Sequence, residues 1–370
     1  MKILALNWQD LKNPLSGGAE VHLEELLRRL VKQGHEITLF CSNFKGGLDE
    51  ETIEGVHIIR RGNRYNFNLI APRYIKRLLK QENYDLFLED INKIPFYSPR
   101  FVRIPSLIII PHLFSTAVFQ EINFVLGSYI YLAEKPLTRV YRNQSFCVIS
   151  RSTASDLIER GISEENITVI HCGIDRELYN NLKGYEKFAY PSVLYLGRIK
   201  KYKSVQHLIE SFRIVKDKLP EARLAVIGAG DYLPDLQKLA RELELTEAVE
   251  FPGFVSQDKK VEYLCRSHVM VYPSLREGWG LTNIEANSCG TTVIAANVPG
   301  LRDSVSDNYS GLLYEYGDIE GLAEKMLKIL TEREYRIELE KNSLEWAARF
   351  DWDSAAEDFN QLCLEVAGGK

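Results

Sequence analysis

The chain has 370 residues, 45% hydrophobic and 26% charged, with a formal net charge of −5 from 46 basic and 51 acidic side chains. That length favours two domains of about 150–200 residues, and that composition sets aside a disordered, collagen-like or disulfide-stapled chain. The balanced charge argues against a nucleic-acid partner. It is unevenly spread: residues 1–150 hold 19 Lys/Arg and 15 Asp/Glu, the remainder 27 and 36, so the basic first half suits an anionic partner or surface.

Residues 2–8 read as a buried parallel strand, followed by a loop, a helix over 19–33 and a strand over 36–41, so the chain opens with a βαβ unit. Further strand-like runs fall at 56–60, 84–89, 106–111, 145–149 and 167–171. Helical patterns cover 69–81 and 152–160, with Ser150 as the N-cap of the latter. The charged, Tyr-rich stretch 173–190 has no periodicity and is expected to link two domains, 1–172 and 191–351. A second strand series follows at 192–196, 223–227, 249–251, 269–272 and 292–295, and a last helix is expected over 353–366. Strands alternating with helices twice over predict an α/β protein of two doubly wound, Rossmann-like parallel sheets. Ligands bind such sheets at the carboxyl ends of the strands, so the cleft between the domains is the expected site.

The six cysteines, Cys41, Cys147, Cys172, Cys265, Cys289 and Cys363, are scattered without a CxxC pair, which points away from metal clusters and disulfide frameworks. The apolar stretch at residues 1–7 is too short for a signal peptide. The most membrane-like segment, 113–132, is interrupted by Gln120, Glu121 and Asn123 and should not span a bilayer. A cytoplasmic protein is expected.

The densest chemical signal is the string Pro273-Ser274-Leu275-Arg276-Glu277-Gly278-Trp279-Gly280-Leu281-Thr282-Asn283-Ile284-Glu285-Ala286, which follows a strand and opens a helix near Leu281. Gly278 and Gly280 let the backbone turn sharply, and the helix N-terminus behind them favours an anion. Glu277 in the turn and Glu285 one turn into the helix bracket a phosphate-sized site, which suits a ligand with hydroxyls on either side of a phosphate, a nucleotide-sugar. The plainer alternative is a strand–turn–helix with one surface Glu and one capping Glu.

The string resembles the E-x7-E signature of the retaining glycosyltransferases of family 4, whose fold is GT-B, two Rossmann-like domains facing a central cleft. Other landmarks follow in the family's order over nearly the whole chain. Ser16-Gly17-Gly18-Ala19-Glu20 is similar to the GG turn after the first strand, and His112 to the family's strand-end His. The segments 148–150, 167–170 and Gly173-Ile174-Asp175 resemble its hinge region. Leu196-Gly197-Arg198 with Lys203 resembles its G-R…K diphosphate clamp, and 226–230 its second-domain glycine turn. Pro252-Gly253-Phe254-Val255 resembles the loop near the base. Phe350-Asp351-Trp352 resembles the start of the C-terminal helix, which in the family crosses back onto the first domain.

The resemblance implies a hexose-type transfer from a nucleotide-sugar co-substrate, metal-independent and without a cofactor. Transfer would retain the anomeric configuration through front-face departure and attack at a short-lived oxocarbenium ion. Glu277 would hold sugar hydroxyls, Glu285 the ribose, and Arg198 and Lys203 the leaving diphosphate, Arg by bidentate contact and Lys as a point charge. Gly17 and Gly18 would let the ligand approach the backbone, His112 would line the sugar pocket, and Gly253, Phe254, Gly278, Trp279, Gly280 and Leu281 would complete the donor site. Trp279 stands where Phe is usual, Ser204 where Gly commonly follows the clamp Lys, and Cys172 where Asn is common.

Two decoys are set aside. Gly228-Ala229-Gly230 starts like a dinucleotide fingerprint, but Leu233 stands where the third Gly belongs. Asp351-Trp352-Asp353 is formally DxD, a metal-sugar motif of the other glycosyltransferase fold, yet Asp353 is better read as a helix cap.

The acceptor is unknown. Arg60, Arg61, Arg64, Arg73, Lys76, Arg77 and Lys80 cluster around Tyr65, Phe67, Leu69, Ile70, Ile75, Leu78 and Leu79. A basic amphipathic helix of this kind suits an anionic membrane surface and a lipid-linked or cell-envelope acceptor, with the apolar stretch 114–132 adding to that surface. The alternative is a solvated helix face. Competing activities are a GT-B sugar-nucleotide epimerase, a phosphorylase, or a silent nucleotide-sugar-binding subunit.

Overall fold

The computed structural model describes residues 1–113 and 124–369. Lys2–Leu6 (KILAL) forms β1 with almost every side chain buried, as a strand covered by helices on both faces must be. There follow α1 (Gly18–Lys32), β2 (Glu36–Cys41), β3 (Glu50–Ile53), β4 (Val56–Arg60), α2 (Phe67–Gln81), β5 (Leu86–Asp90) and β6 (Ser106–Ile110). Beyond the undescribed stretch come α3 (Phe124–Glu134), α4 (Leu137–Tyr141), β7 (Ser145–Val148), α5 (Arg151–Glu159) and β8 (Ile167–Val169). The eight strands make one sheet in the order β3-β4-β2-β1-β5-β6-β7-β8, parallel except for the β3–β4 pair.

The second series is β9 (Ser192–Leu196), α6 (Val205–Lys218), β10 (Arg223–Ile227), α7 (Leu233–Glu242), β11 (Val249–Gly253), α8 (Gln257–Arg266), β12 (Val269–Tyr272) and α9 (Leu281–Ser288). It closes with β13 (Thr292–Ala296), α10 (Leu301–Ser304), β14 (Gly311–Tyr314), α11 (Ile319–Thr331) and α12 (Arg333–Ala347), and the chain ends in α13 (Trp352–Gly368). Its six strands are parallel in the order β11-β10-β9-β12-β13-β14.

The chain divides into two compact units, residues 1–173 together with α13, and residues 174–351. Within the first, α13 lies along α1: the rings of His22 and Trp352 are 6.0 Å apart, and Asp353 pairs with Arg29 at 2.6 Å. Asp353 thus sits inside the first turn of α13 and is held by a side chain of α1, so it is not the cap the sequence suggested. Ser150 does cap α5, accepting from the Thr153 N–H.

The stretch 173–190 forms no strand or helix, yet most of it is packed onto the second unit and is not a free linker. Phe188 N–H donates to the Arg266 carbonyl, and Ser288 Oγ donates to the Tyr179 carbonyl. The Lys187 ammonium donates to the carbonyls of Ser267 and Gly290 and to Thr291 Oγ1. Buried donors and acceptors of this kind fix an aperiodic segment as firmly as a ladder would.

In each sheet the strand order reverses once, between β1 and β5 in the first and between β9 and β12 in the second. At such a switch point the turns leaving two adjacent strands diverge and open a crevice at the carboxyl edge.

Candidate functional site

In the second unit the chain leaves β9 at Gly197 and passes Arg198 and Lys203 before α6; it leaves β12 at Pro273 and passes Glu277 before α9. The reversal between β9 and β12 brings these two turns together. Lys203, only 4% exposed, reaches across and donates to Glu277 Oε1, and its Nζ lies 3.3 Å from the Tyr272 hydroxyl. The same Nζ is 5.0 Å from the Tyr202 ring centre and 5.4 Å from that of Tyr272, so two aromatic faces flank the ammonium. Burial works to lower the Lys203 pKa, but the Glu277 charge outweighs it and holds the ammonium well above its ordinary value. Burial and the same carboxylate push the Tyr272 phenol up to about 12. The site therefore carries a permanent cation tied to a carboxylate.

Arg198 is exposed at the end of β9, and its carbonyl is fixed by a 2.9 Å hydrogen bond from the buried Tyr195 hydroxyl; the Tyr195 ring stacks on Tyr272 at 5.9 Å. Ser204 takes the left-handed conformation (φ 53°) that a glycine would adopt freely, and Ser204 Oγ lies 2.9 Å from the Tyr316 hydroxyl, which helps to hold it there. Gly228 presses so closely on the turn after β9 that an added Cβ would lie 1.9 Å from the Gly197 carbonyl oxygen. The Gly-Ala-Gly string that mimics a dinucleotide fingerprint is thus a backbone-packing feature.

Gly280 is the N-cap of α9 at φ 91°, where a Cβ would lie 2.7 Å from Ser304 Oγ, so only glycine suits the turn. Leu281 is the first residue of α9 and Glu285 lies one turn on, its Oε2 2.7 Å from Lys260 Nζ on α8. Both carboxylates of the Glu277…Glu285 pair are therefore engaged by a lysine. Gly253 ends β11, and Phe254 beyond it is 90% exposed, an aromatic face left in water at the same edge. Trp279 departs from expectation: its side chain is 2% exposed and its ring packs edge-on against Phe350 at 5.2 Å, so the indole is part of the core and only its backbone shares the turn with Gly278.

In the first unit, Gly17 and Gly18 open α1 after the loop that leaves β1, and the Gly17 N–H donates to Glu20 Oε2 at 2.7 Å. That donor is consumed by the protein itself. His112 follows β6 and is half-buried at the carboxyl edge of its sheet. The residues that sequence reasoning missed are the tyrosines around Lys203 and the Lys260–Tyr179 pair beside Glu285. The only signal for the former was tyrosine in or beside two adjacent strand ends.

The basic cluster also needs revision. Arg60 is fully buried, 2.6 Å from Asp10 and also paired with Glu51, and Arg61 pairs with Glu50. Phe67, Ala71 and Ile75 form the buried stripe of α2, while Arg64, Tyr65, Leu69, Arg73, Lys76, Arg77 and Lys80 remain exposed. Of the apolar stretch 114–132, residues 114–123 lie outside the described residues; the described part of α3 exposes Tyr129 and Leu132, and Asn68 of α2 donates to the Tyr129 hydroxyl. Among the described residues no helix is long and apolar enough to cross a membrane.

Two parallel α/β units with charged turns at a switch point are the architecture of the GT-B glycosyltransferases. The sequence model described as Glycosyltransferase Family 4 matches residues 16–178, and that described as Glycosyl transferases group 1 matches residues 185–346. The sulfoquinovosyl transferase SQD2 of Arabidopsis thaliana is 32% identical over 221 residues, which is 56% of this chain and 42% of that protein. An uncharacterized glycosyltransferase of Methanocaldococcus jannaschii is 24% identical over 99% of this chain and 100% of its own length. The crystal structure of Anabaena HepE in complex with UDP-glucose shares the fold, with a TM-score of 0.76 and 18% identity over 98% of this chain and 99% of that one. The chain belongs to the family 4 glycosyltransferases of GT-B fold.

Proposed function

We propose that the protein transfers a hexose-type sugar from a nucleoside diphosphate-sugar to an acceptor hydroxyl, retaining the anomeric configuration and requiring neither metal nor cofactor. The observation that carries this reading is the buried Lys203–Glu277 pair beside exposed Arg198 at the switch point of the second sheet. A leaving diphosphate needs positive charge where its own charge develops, and fixed cations supply it without reorganisation. Lys203 is anchored by Glu277 and Tyr272, which sets its ammonium in place before a ligand arrives, while Arg198 is presented on a fixed turn for bidentate contact. Glu277, already oriented by Lys203, accepts from sugar hydroxyls. His112 would line the sugar pocket, and Gly17 and Gly18, without side chains, would let the sugar and phosphate approach the protein backbone. UDP-glucose, which the Anabaena protein of the same fold holds, heads the donors to test.

For the acceptor we propose a lipid-linked or cell-envelope glycan presented at an anionic membrane face. The exposed Arg64, Arg73, Lys76, Arg77 and Lys80, with no acidic residue anywhere in α2, flank exposed Tyr65 and Leu69. Sedimentation with anionic and neutral liposomes at low salt tests this; equal binding to both would remove the membrane from the account. The transfer itself is tested by proton NMR of the product. A glycoside with the donor's anomeric configuration is expected, whereas an inverted glycoside refutes retention and an epimerised nucleotide makes the protein an epimerase.

A further inference from the structure

Glu89 on β5 is fully buried, and the donor site makes no use of it. Its carboxylate accepts from the Phe96 N–H at 2.8 Å, the Ser98 N–H at 3.3 Å and the Tyr141 hydroxyl at 2.7 Å, and also from the Ser98 hydroxyl. Tyr141, the last residue of α4, accepts in turn from the Tyr97 N–H at 2.6 Å. The Tyr97 hydroxyl donates to the Ala133 carbonyl at the end of α3. These bonds hold Tyr97 at φ 58°, a left-handed conformation that a tyrosine seldom takes and keeps only where its surroundings fix it. One buried carboxylate thus ties the 3₁₀ turn Ser98–Arg100 to α4.

That turn and α4 line a groove of about 640 Å³ with Pro99, Arg100, Pro136, Arg139 and Val140. Arg100 and Arg139 are exposed, and among the described residues neither is paired with a carboxylate. The Arg100 guanidinium lies 5.2 Å from the centre of the anchored Tyr97 ring, a contact that spends none of its N–H donors. Arg103 is used by the protein itself, donating to the carbonyls of Pro99 at 2.9 Å and Val102 at 3.3 Å. Residues 97–103 and 135–142 hold five Lys/Arg and no acidic side chain, so the groove's cations are not neutralised by their own segments.

Each guanidinium offers a fork of N–H donors. A carboxylate has two oxygens and fills one fork; a phosphate monoester has three terminal oxygens and a charge of about −1.5 to −2 at pH 7, enough to meet both. We propose that this groove binds a phosphate monoester, with Arg100 and Arg139 on the phosphoryl group and Pro99, Pro136 and Val140 against the carbon part of the molecule. The groove lies wholly within the first unit, whereas Arg198, Lys203 and Glu277 belong to the second, so this site stands or falls independently of the donor-site reading. The ester reaches it either free in solution or as the headgroup of a lipid. The second source has support in α3, which precedes α4 and exposes Tyr129, Tyr131 and Leu132.

Two arms separate the sources. The first is calorimetric titration with glycerol 3-phosphate, with glycerol and acetate as controls. Low-millimolar binding of the ester is expected, with both controls at least about tenfold weaker. Arg100→Gln and Arg139→Gln each weaken it about tenfold, the worth of one charge-assisted contact, and Arg139→Lys, which keeps the charge and loses the fork, about threefold. The second arm is sedimentation with phosphatidylcholine vesicles carrying either phosphatidic acid, a monoester, or phosphatidylserine, a diester, at matched surface charge. A preference for phosphatidic acid that vanishes in Arg100→Gln/Arg139→Gln assigns the lipid headgroup; soluble binding lost in the same double variant assigns a free ester. Absence of both effects in the wild type, or their survival in the double variant, overturns the proposal. Ester binding that Arg198→Ala abolishes and the double variant retains belongs to the donor site and overturns it equally.

Discussion

Replacing Glu277 with Gln removes the carboxylate paired with the Lys203 ammonium, which is 4% exposed and cannot turn to water. Breaking a buried pair from one side costs about 3–5 kcal/mol, because the remaining charge is left desolvated. Here the Tyr272 hydroxyl at 3.3 Å and the rings of Tyr202 and Tyr272 at 5.0 Å and 5.4 Å still face the cation. They offset part of the loss, so the lower end, about 3 kcal/mol, is expected. Lys203→Met leaves Glu277, whose side chain is 16% exposed and better able to recruit water, and should cost less. The double variant Lys203→Met/Glu277→Gln carries no stranded charge and should recover at least about 2 kcal/mol relative to the sum of the single losses. Urea unfolding of the four proteins at pH 7, read at the transition of the second unit, measures the cycle. Single losses below about 1 kcal/mol with no coupling would show that the pair is not buried as described.

Three further outcomes follow from the same burial logic. His22 is pushed from 6.5 down to about 4 by burial, so between those values the unfolded chain binds a proton that the folded one refuses. Stability should therefore fall as pH drops from 6.5 towards 4, by up to about 3 kcal/mol, and the pH dependence of Tm should flatten in His22→Leu. Asp90, buried with both carboxyl oxygens unpartnered, is held well above the carboxylate range by burial and then by Glu20. It opposes folding as pH rises above its unfolded value, so Asp90→Asn should raise Tm at pH 8 and change it little at pH 4. Arg60→Met strands Asp10 and should cost about 3–5 kcal/mol without altering liposome binding, whereas Lys76→Glu/Arg77→Glu should reduce liposome binding with little effect on Tm.

What the sequence made legible is what periodicity and local strings encode. The strands 36–41, 56–60, 192–196, 223–227 and 269–272 coincide with the observed ones because buried parallel strands are continuous apolar runs bounded by polar loops. β3 escaped because Glu-Glu-Thr-Ile is polar and lies at a sheet edge, and β14 because four residues led by Gly look like a turn. The candidate site residues Arg198, Lys203, Glu277 and Glu285 stood out because each lies in a local string that resembles the family's, after a strand end or beside a glycine. Burial was not visible: Arg60 and Trp279 have the side chains of a surface cation and a pocket aromatic, and only the fold shows one paired with Asp10 and the other packed on Phe350. Lys260 and Tyr179 are separated in sequence, and no spacing announces that they meet at Glu285.

The most direct test is release of nucleoside diphosphate. The purified protein is incubated without metal with UDP-, GDP-, ADP- and dTDP-sugars, beside Glu277→Ala and Arg198→Ala. Slow release from one of these donors is expected, falling about 10²–10³-fold in Arg198→Ala as for loss of one charge-stabilising donor, and lost as well in Glu277→Ala. Release that both variants retain, or failure of the wild-type protein to bind any nucleotide-sugar, would contradict the account.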